Sequence, residues 1–141
     1  MYYPDLSEYS YGRFDEKLKT QYSLDDETVF LNVGWLDNEH EFETTDPDPL
    51  LLQKMFDRFQ EEGNMMRGYH NCPFCMDERF VDPNYFMVFT EFGDKRRWMG
   101  SMEIFVRHGN VVYIAPNLVF HYVEKHSYRP PQAFCDALLS L

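Results

Sequence analysis

Two thiols and two imidazoles, set far apart along the chain, constrain this fold more than any other feature. Cys72-Pro73-Phe74-Cys75 lies in the middle, and His121-Tyr122-Val123-Glu124-Lys125-His126 lies near the end. Cysteines separated by two residues can grip one ion from a tight turn. Histidines separated by four residues fall within the spacing of small zinc sites. With 45 residues between Cys75 and His121, a shared ion would clip the middle of the chain to its C-terminal helical region. Mixed sulfur and nitrogen donors select zinc, in a structural role. The expected ligands are Cys72, Cys75, His121 and His126. His70, two residues before Cys72, is an alternative ligand. On a regular helix His121 and His126 stand about 140° apart. Both reach one ion only if the helix frays near Lys125, or else one of them has another role. A redox role for the CxxC pair is disfavoured, because Met76-Asp77-Glu78 sets acids where a thiolate needs a helix N-terminus.

The bulk properties set the frame. The chain has 141 residues, 44% hydrophobic and 18% aromatic, which is enough for one domain with its own core. No apolar run is long enough to span a membrane, and the first residues lack the pattern of a signal peptide. Three cysteines, two of them in metal-like spacing, argue against a disulfide framework and for a reducing cytoplasm. The net charge of -11 is all in the first half: residues 1–64 hold 16 acids and 5 bases, residues 65–141 hold 8 of each. Such a field repels nucleic acid and membrane surfaces and suits a basic protein partner. The oligomeric state has no signature in the sequence.

Residues 1–26 carry five of the ten tyrosines with little periodicity, and read as an acidic arm or lead-in. Residues 27–141 read as one α+β domain. Thr28 to Leu36 is a dense β-branched and aromatic strand. Asp46-Pro47 or Asp48-Pro49 opens a helix with Leu52, Met55, Phe56 and Phe59 on one face, and Gly63 ends it. Tyr85 to Phe92 is a central strand, Gly93 to Arg97 a polar turn, and Trp98 to Arg107 an alternating strand. His108-Gly109-Asn110 turns the chain into Val111 to Ala115. Pro116 starts a helix over residues 117–126. Pro130-Pro131 breaks it, and residues 132–141 form a last helix with Phe134, Leu138 and Leu141 inward. The expected fold is a small, mostly antiparallel sheet with helices on one face and the CxxC loop tied to the C-terminal helical region.

Gly34-Trp35-Leu36, Arg67 to Cys75, Gly100 to Val106 and Tyr113 to Phe134 occur in that order. Together they resemble a family of small bacterial proteins with the pattern R-G-x-H-x-C-x-F-C, G-S-x-E-I-x-V and Y-x-A-P-x-L-x-x-H-Y-V-x-x-H-x-Y-x-P-P-x-x-F. The resemblance covers residues 28–135 and implies a shared fold without implying an activity.

Motifs of hydrolases, deaminases and phosphate-binding loops are absent. Four protein ligands close a metal site, so the leading expectation is a non-catalytic interaction protein, like an immunity protein, whose acidic surface binds a basic partner. Glu103 is then expected to hold the second nitrogen of a liganding histidine. One alternative is a metal-dependent hydrolase with Glu103 as general base. Another is a DNA-mimic inhibitor. Lys95-Arg96-Arg97 reads as a solvated tip. Arg67 and Arg129 flank the expected site.

Overall fold

A computed structural model describes residues 2–9, 20, 27–58, 64–65, 72–74, 81–82, 87–92, 95–99 and 102–141. Strand β1 is Val29–Asn32 and is followed by helix α1, Pro49–Arg58. Asp48 caps that helix: its carboxylate accepts the Leu50 N–H at 2.9 Å. Pro49 occupies the first turn, where its missing N–H costs nothing. Five strands come next: β2 (Asn64–Met65), β3 (Val81–Asp82), β4 (Met87–Phe92), β5 (Lys95–Met99) and β6 (Met102–His108). The chain ends with β7 (Val111–Pro116), α2 (Leu118–His126) and α3 (Gln132–Leu139).

The strands form two sheets. One has the order β1-β7-β6-β2, the other β3-β4-β5. β6 and β7 make an antiparallel hairpin in which His108 faces Val111. Gly109 sits at its tip with φ +62, in the left-handed region that a two-residue turn needs. β1 joins β7 in parallel, and β2 pairs antiparallel with β6.

Strand alternation divides the first sheet into two buried faces. Ile104, Val106, Tyr113 and Ala115 face a core made with Leu52, Met55 and Phe56 of α1, Val119 and Phe120 of α2, and Phe134 and Leu138 of α3. Phe30, Phe105, Val112 and Ile114 face a second cluster closed by Tyr9 and Trp35. The helices thus share one face, and the α+β class expected from the sequence is the class observed.

The tyrosine-rich start of the chain seals the free edge of β1. Tyr9 N–H donates to the Phe30 carbonyl at 2.8 Å, Asn32 N–H to Ser7 at 2.8 Å, and Leu6 N–H to Asn32 at 2.7 Å. An edge covered this way cannot template pairing with another chain. Gly34 ends β1 with φ +76, and a Cβ there would come within 2.8 Å of Val119 Cγ2. The position needs glycine for its backbone angle and for the approach of α2.

Three expectations change. Lys95 to Arg97 is strand rather than turn, since Phe92, Glu91 and Thr90 pair with Lys95, Arg96 and Arg97. β5 is an edge strand, and edges tolerate charged residues. Trp98 to Arg107 is divided between β5 and β6, which belong to different sheets. Alternation reports which face a residue takes but not which strand it bonds, and the ten-residue run exceeds the usual strand length of about 5–6 residues. Leu141 is 51% exposed, because α3 stops at Leu139 before the periodicity can bring it inward. Phe59 and Gly63 lie outside the described residues. Among the described residues, no helix is long and apolar enough to cross a membrane.

Candidate metal centre

Helix α2 is buried almost all round, from Leu118 to Val123, as expected of a helix whose apolar residues leave no polar stripe. Its His121 is 1% exposed. The C-terminal end departs from regular α geometry. Ser127 takes a left-handed conformation, and its N–H reaches back five residues to the Tyr122 carbonyl. Tyr128 N–H bonds the same carbonyl at 3.0 Å. A bond spanning five residues widens the turn. Residues five apart then come nearer to one face than the 140° of a regular helix allows. The helix is continuous through His126 and reconciles the two imidazoles by widening at its end.

The result is a convergence of donors. His121 Nε2 and His126 Nε2 lie 3.2 Å apart. Cys72 Sγ lies 3.3 Å from His126 Nε2. All three donor atoms fall within 4.8 Å of one another. A tetrahedral ion with bonds of about 2.3 Å to sulfur and about 2.0 Å to nitrogen separates its donors by about 3.3–3.6 Å. The donor types suit a metal such as zinc, and two of the three separations, 3.2 and 3.3 Å, are close to that spacing. Cys75 and His70, the other expected ligands, lie outside the described residues.

The surroundings keep both imidazoles uncharged. Burial pushes His121 down to about 4, and the charges of His126 and Lys125 add to the effect. Burial also lowers His126. Both rings are then neutral at pH 7, the state in which imidazole coordinates metal.

Residues Cys72 to Phe74 reach α2 through aromatic packing. Phe74 sets its ring 5.4 Å from that of His126 and 5.7 Å from that of Tyr122. On its far side it meets Phe42 at 5.2 Å. Cys72 itself is 5% exposed and belongs to the helix-side core. The residues between the two cysteines thus brace the sulfur against the helix that carries the histidines.

Glu103 takes a different position. It alternates with Ile104 and lies on the face of Phe105, across the sheet from the helices. Tyr9 donates its hydroxyl to the Glu103 carboxylate at 3.3 Å. The described contact is therefore with the N-terminal segment rather than with a histidine of the cluster. Arg129 lies at the surface, and its N–H donates to the Glu43 carbonyl at 2.9 Å. Arg67 lies outside the described residues.

Sequence reasoning missed Asp5. Its carboxylate accepts the Gly34 N–H at 2.9 Å and the Tyr128 hydroxyl at 2.7 Å. It thereby ties the start of the chain to the segment just after His126.

No curated protein and no solved structure matches the chain. A family model described as "Domain of unknown function (DUF7919)" matches residues 1–139, which includes the tyrosine-rich segment outside the motifs read from the sequence. The match spans nearly the whole chain, and the protein belongs to the DUF7919 family.

Proposed function

We propose that this protein is a non-catalytic interaction module, stabilised by a structural zinc, that presents an acidic loop to a basic protein partner. One observation carries the reading: the acidic loop is strapped to the end of the histidine-bearing helix. Thr45 N–H donates to Ser127 at 2.8 Å, Arg129 N–H donates to Glu43 at 2.9 Å, and Thr44 bridges Tyr128. Phe42 turns inward onto Phe74, while Glu39, Glu41, Glu43, Asp46 and Asp48 stay exposed. An ion bound at Cys72, His121 and His126 would hold the base from which those carboxylates project. Cys75 is the natural fourth ligand.

Burial supports a structural ion over a hydrolytic one. Cys72 and His121 are 5% and 1% exposed, and a hydrolytic metal needs an open position facing substrate. Purified protein should carry one zinc per chain by elemental analysis. Its complex with a basic partner should weaken steeply with salt. Neutralising the acids between Asp37 and Asp48 should abolish that complex. A complex indifferent to both changes ends the electrostatic reading.

A further inference from the structure

A cavity of about 340 Å³ opens beside the acidic loop, walled by Tyr2, Tyr3, Phe42, Glu41, Glu43 and Arg129. It is at the small end of ligand pockets, which run from roughly 300 to 1,000 Å³. Asp5 also lines it, but both its oxygens are engaged, by Gly34 and Tyr128. Glu41 and Glu43 are exposed, and no hydrogen bond or ion pair engages either carboxylate among the described residues. The aromatic walls are held in place. Tyr2 stacks on His40 at 3.8 Å and 2°, Tyr3 meets the edge of Trp35 at 5.7 Å, and Phe42 packs on Phe74 at 5.2 Å.

We infer that this cavity seats a lysine or arginine side chain of the basic protein partner. The inference deepens the function proposed above and rests on it. Three physical features converge. Three carboxylates against one guanidinium leave the lining net negative. Aromatic rings attract a cation through their electron-rich faces and cover its apolar stem. Arg129 brings N–H donors, which suit the main-chain carbonyl beside an inserted side chain better than they suit a free amine. The occupant is therefore a cationic residue within a peptide.

The test uses the full chain, purified with its metal, and three capped tripeptides: glycine-lysine-glycine, glycine-arginine-glycine and glycine-norleucine-glycine. Binding is followed by NMR through the ring signals of Tyr2, Tyr3 and Phe42. Lysine or arginine peptides should shift those signals saturably, and the norleucine peptide should not. The double variant Glu41→Gln/Glu43→Gln should weaken cationic binding about tenfold, as expected when charged partners are lost. The double variant Glu39→Gln/Asp46→Asn removes equal charge outside the cavity and should leave binding nearly unchanged. Equal loss in both variants, equal binding of norleucine, or no saturable shift overturns the pocket. A pocket that takes lysine in a protein that binds no basic partner overturns the interaction reading instead. The two failures are thus distinguishable.

Discussion

The two faces of the first sheet bury polar groups by opposite means. On the helix face, a thiol and two imidazoles crowd within 4.8 Å, an arrangement of donors that suits a metal ion. On the other face, the chain itself serves the Glu103 carboxylate and the Asn32 amide nitrogen, while Asn32 Oδ1 is buried without a partner among the described residues. Tyr9 donates to Glu103, and Asn32 donates to the carbonyls of Ser7 and Glu8. With an ion bound at Cys72, His121 and His126, as proposed, stability on the helix face would depend on metal supply. The other face makes it depend on contacts with the N-terminal segment. The lesson is that burial of polar groups does not define a site. What separates the faces is that soft sulfur and nitrogen donors converge on one, while on the other hydroxyl and amide groups donate to oxygen acceptors.

The largest expected effect separates the faces outright. Binding of structural zinc contributes about 10–16 kcal/mol in small zinc domains, more than the whole stability of most proteins. A strong chelator should therefore lower the melting temperature by tens of degrees, and Cys72→Ser should give poorly folded protein. Calorimetry with and without chelator checks both. A melt unmoved by chelator would falsify the metal centre.

Acid should act next, and again on the helix face. His121 is held near 4 when folded but titrates near 6.5 when unfolded. Below 6.5 the unfolded chain takes up a proton that the native state refuses, so stability falls as pH drops and the loss is complete below about 4. For one histidine this amounts to about 3 kcal/mol. Above 6.5 this group contributes no pH dependence. Urea midpoints of the metal-free protein between pH 8 and 4 measure it. A flat profile would mean that His121 is not buried neutral.

The opposite face should respond to hydroxyl deletion and ignore chelator. Tyr9→Phe removes the donor to Glu103 and should cost about 1–3 kcal/mol, the penalty for a buried carboxylate that loses a bond. Its loss should be the same in metal-loaded and metal-free protein. A loss that appears only with metal bound would couple the faces and break the comparison. Gly34→Ala lies between them. A left-handed alanine costs about 1–2 kcal/mol, and the contact with Val119 at 2.8 Å adds to that. Both variants are read from urea midpoints.

Much of the helix side was legible in the sequence. The two Asp-Pro pairs bracketed the start of α1, of which Asp48-Pro49 is the one used, Gly109 marked the hairpin, and Pro116 and Pro130-Pro131 the limits of α2. Each of these signals acts within a few residues. The approach of Cys72 to His121 and His126 was also legible, as three of the four donors expected from the spacing, while Cys75 lies outside the described residues. What sequence could not give was the widened last turn of α2, a backbone adjustment with no residue signature. Nor could it give the pairing of Tyr9 with Glu103, which are 94 residues apart. The first half of the edge strand Lys95–Met99 was hidden for a related reason: its pairing is set by β4, while Lys95 to Arg97 read as a polar turn.

The smallest effect belongs to the remaining thiol. Cys135 lies on α3, half-buried, with its sulfur 3.8 Å from the Pro130 carbonyl. Burial pushes this thiol up to about 11, helped by the neighbouring Asp136, so it stays protonated at pH 7. A protonated thiol is a poor ligand and a poor nucleophile. Cys135→Ala should therefore cost less than about 1 kcal/mol, since only a small, partly exposed group is lost. It should also leave the zinc content of the purified protein unchanged. Alkylation by iodoacetamide should be slow at pH 7 and speed up only as the pH approaches 11. If Cys135→Ala instead sheds metal, the fourth ligand comes from α3, and the two C-terminal helices would share the ion.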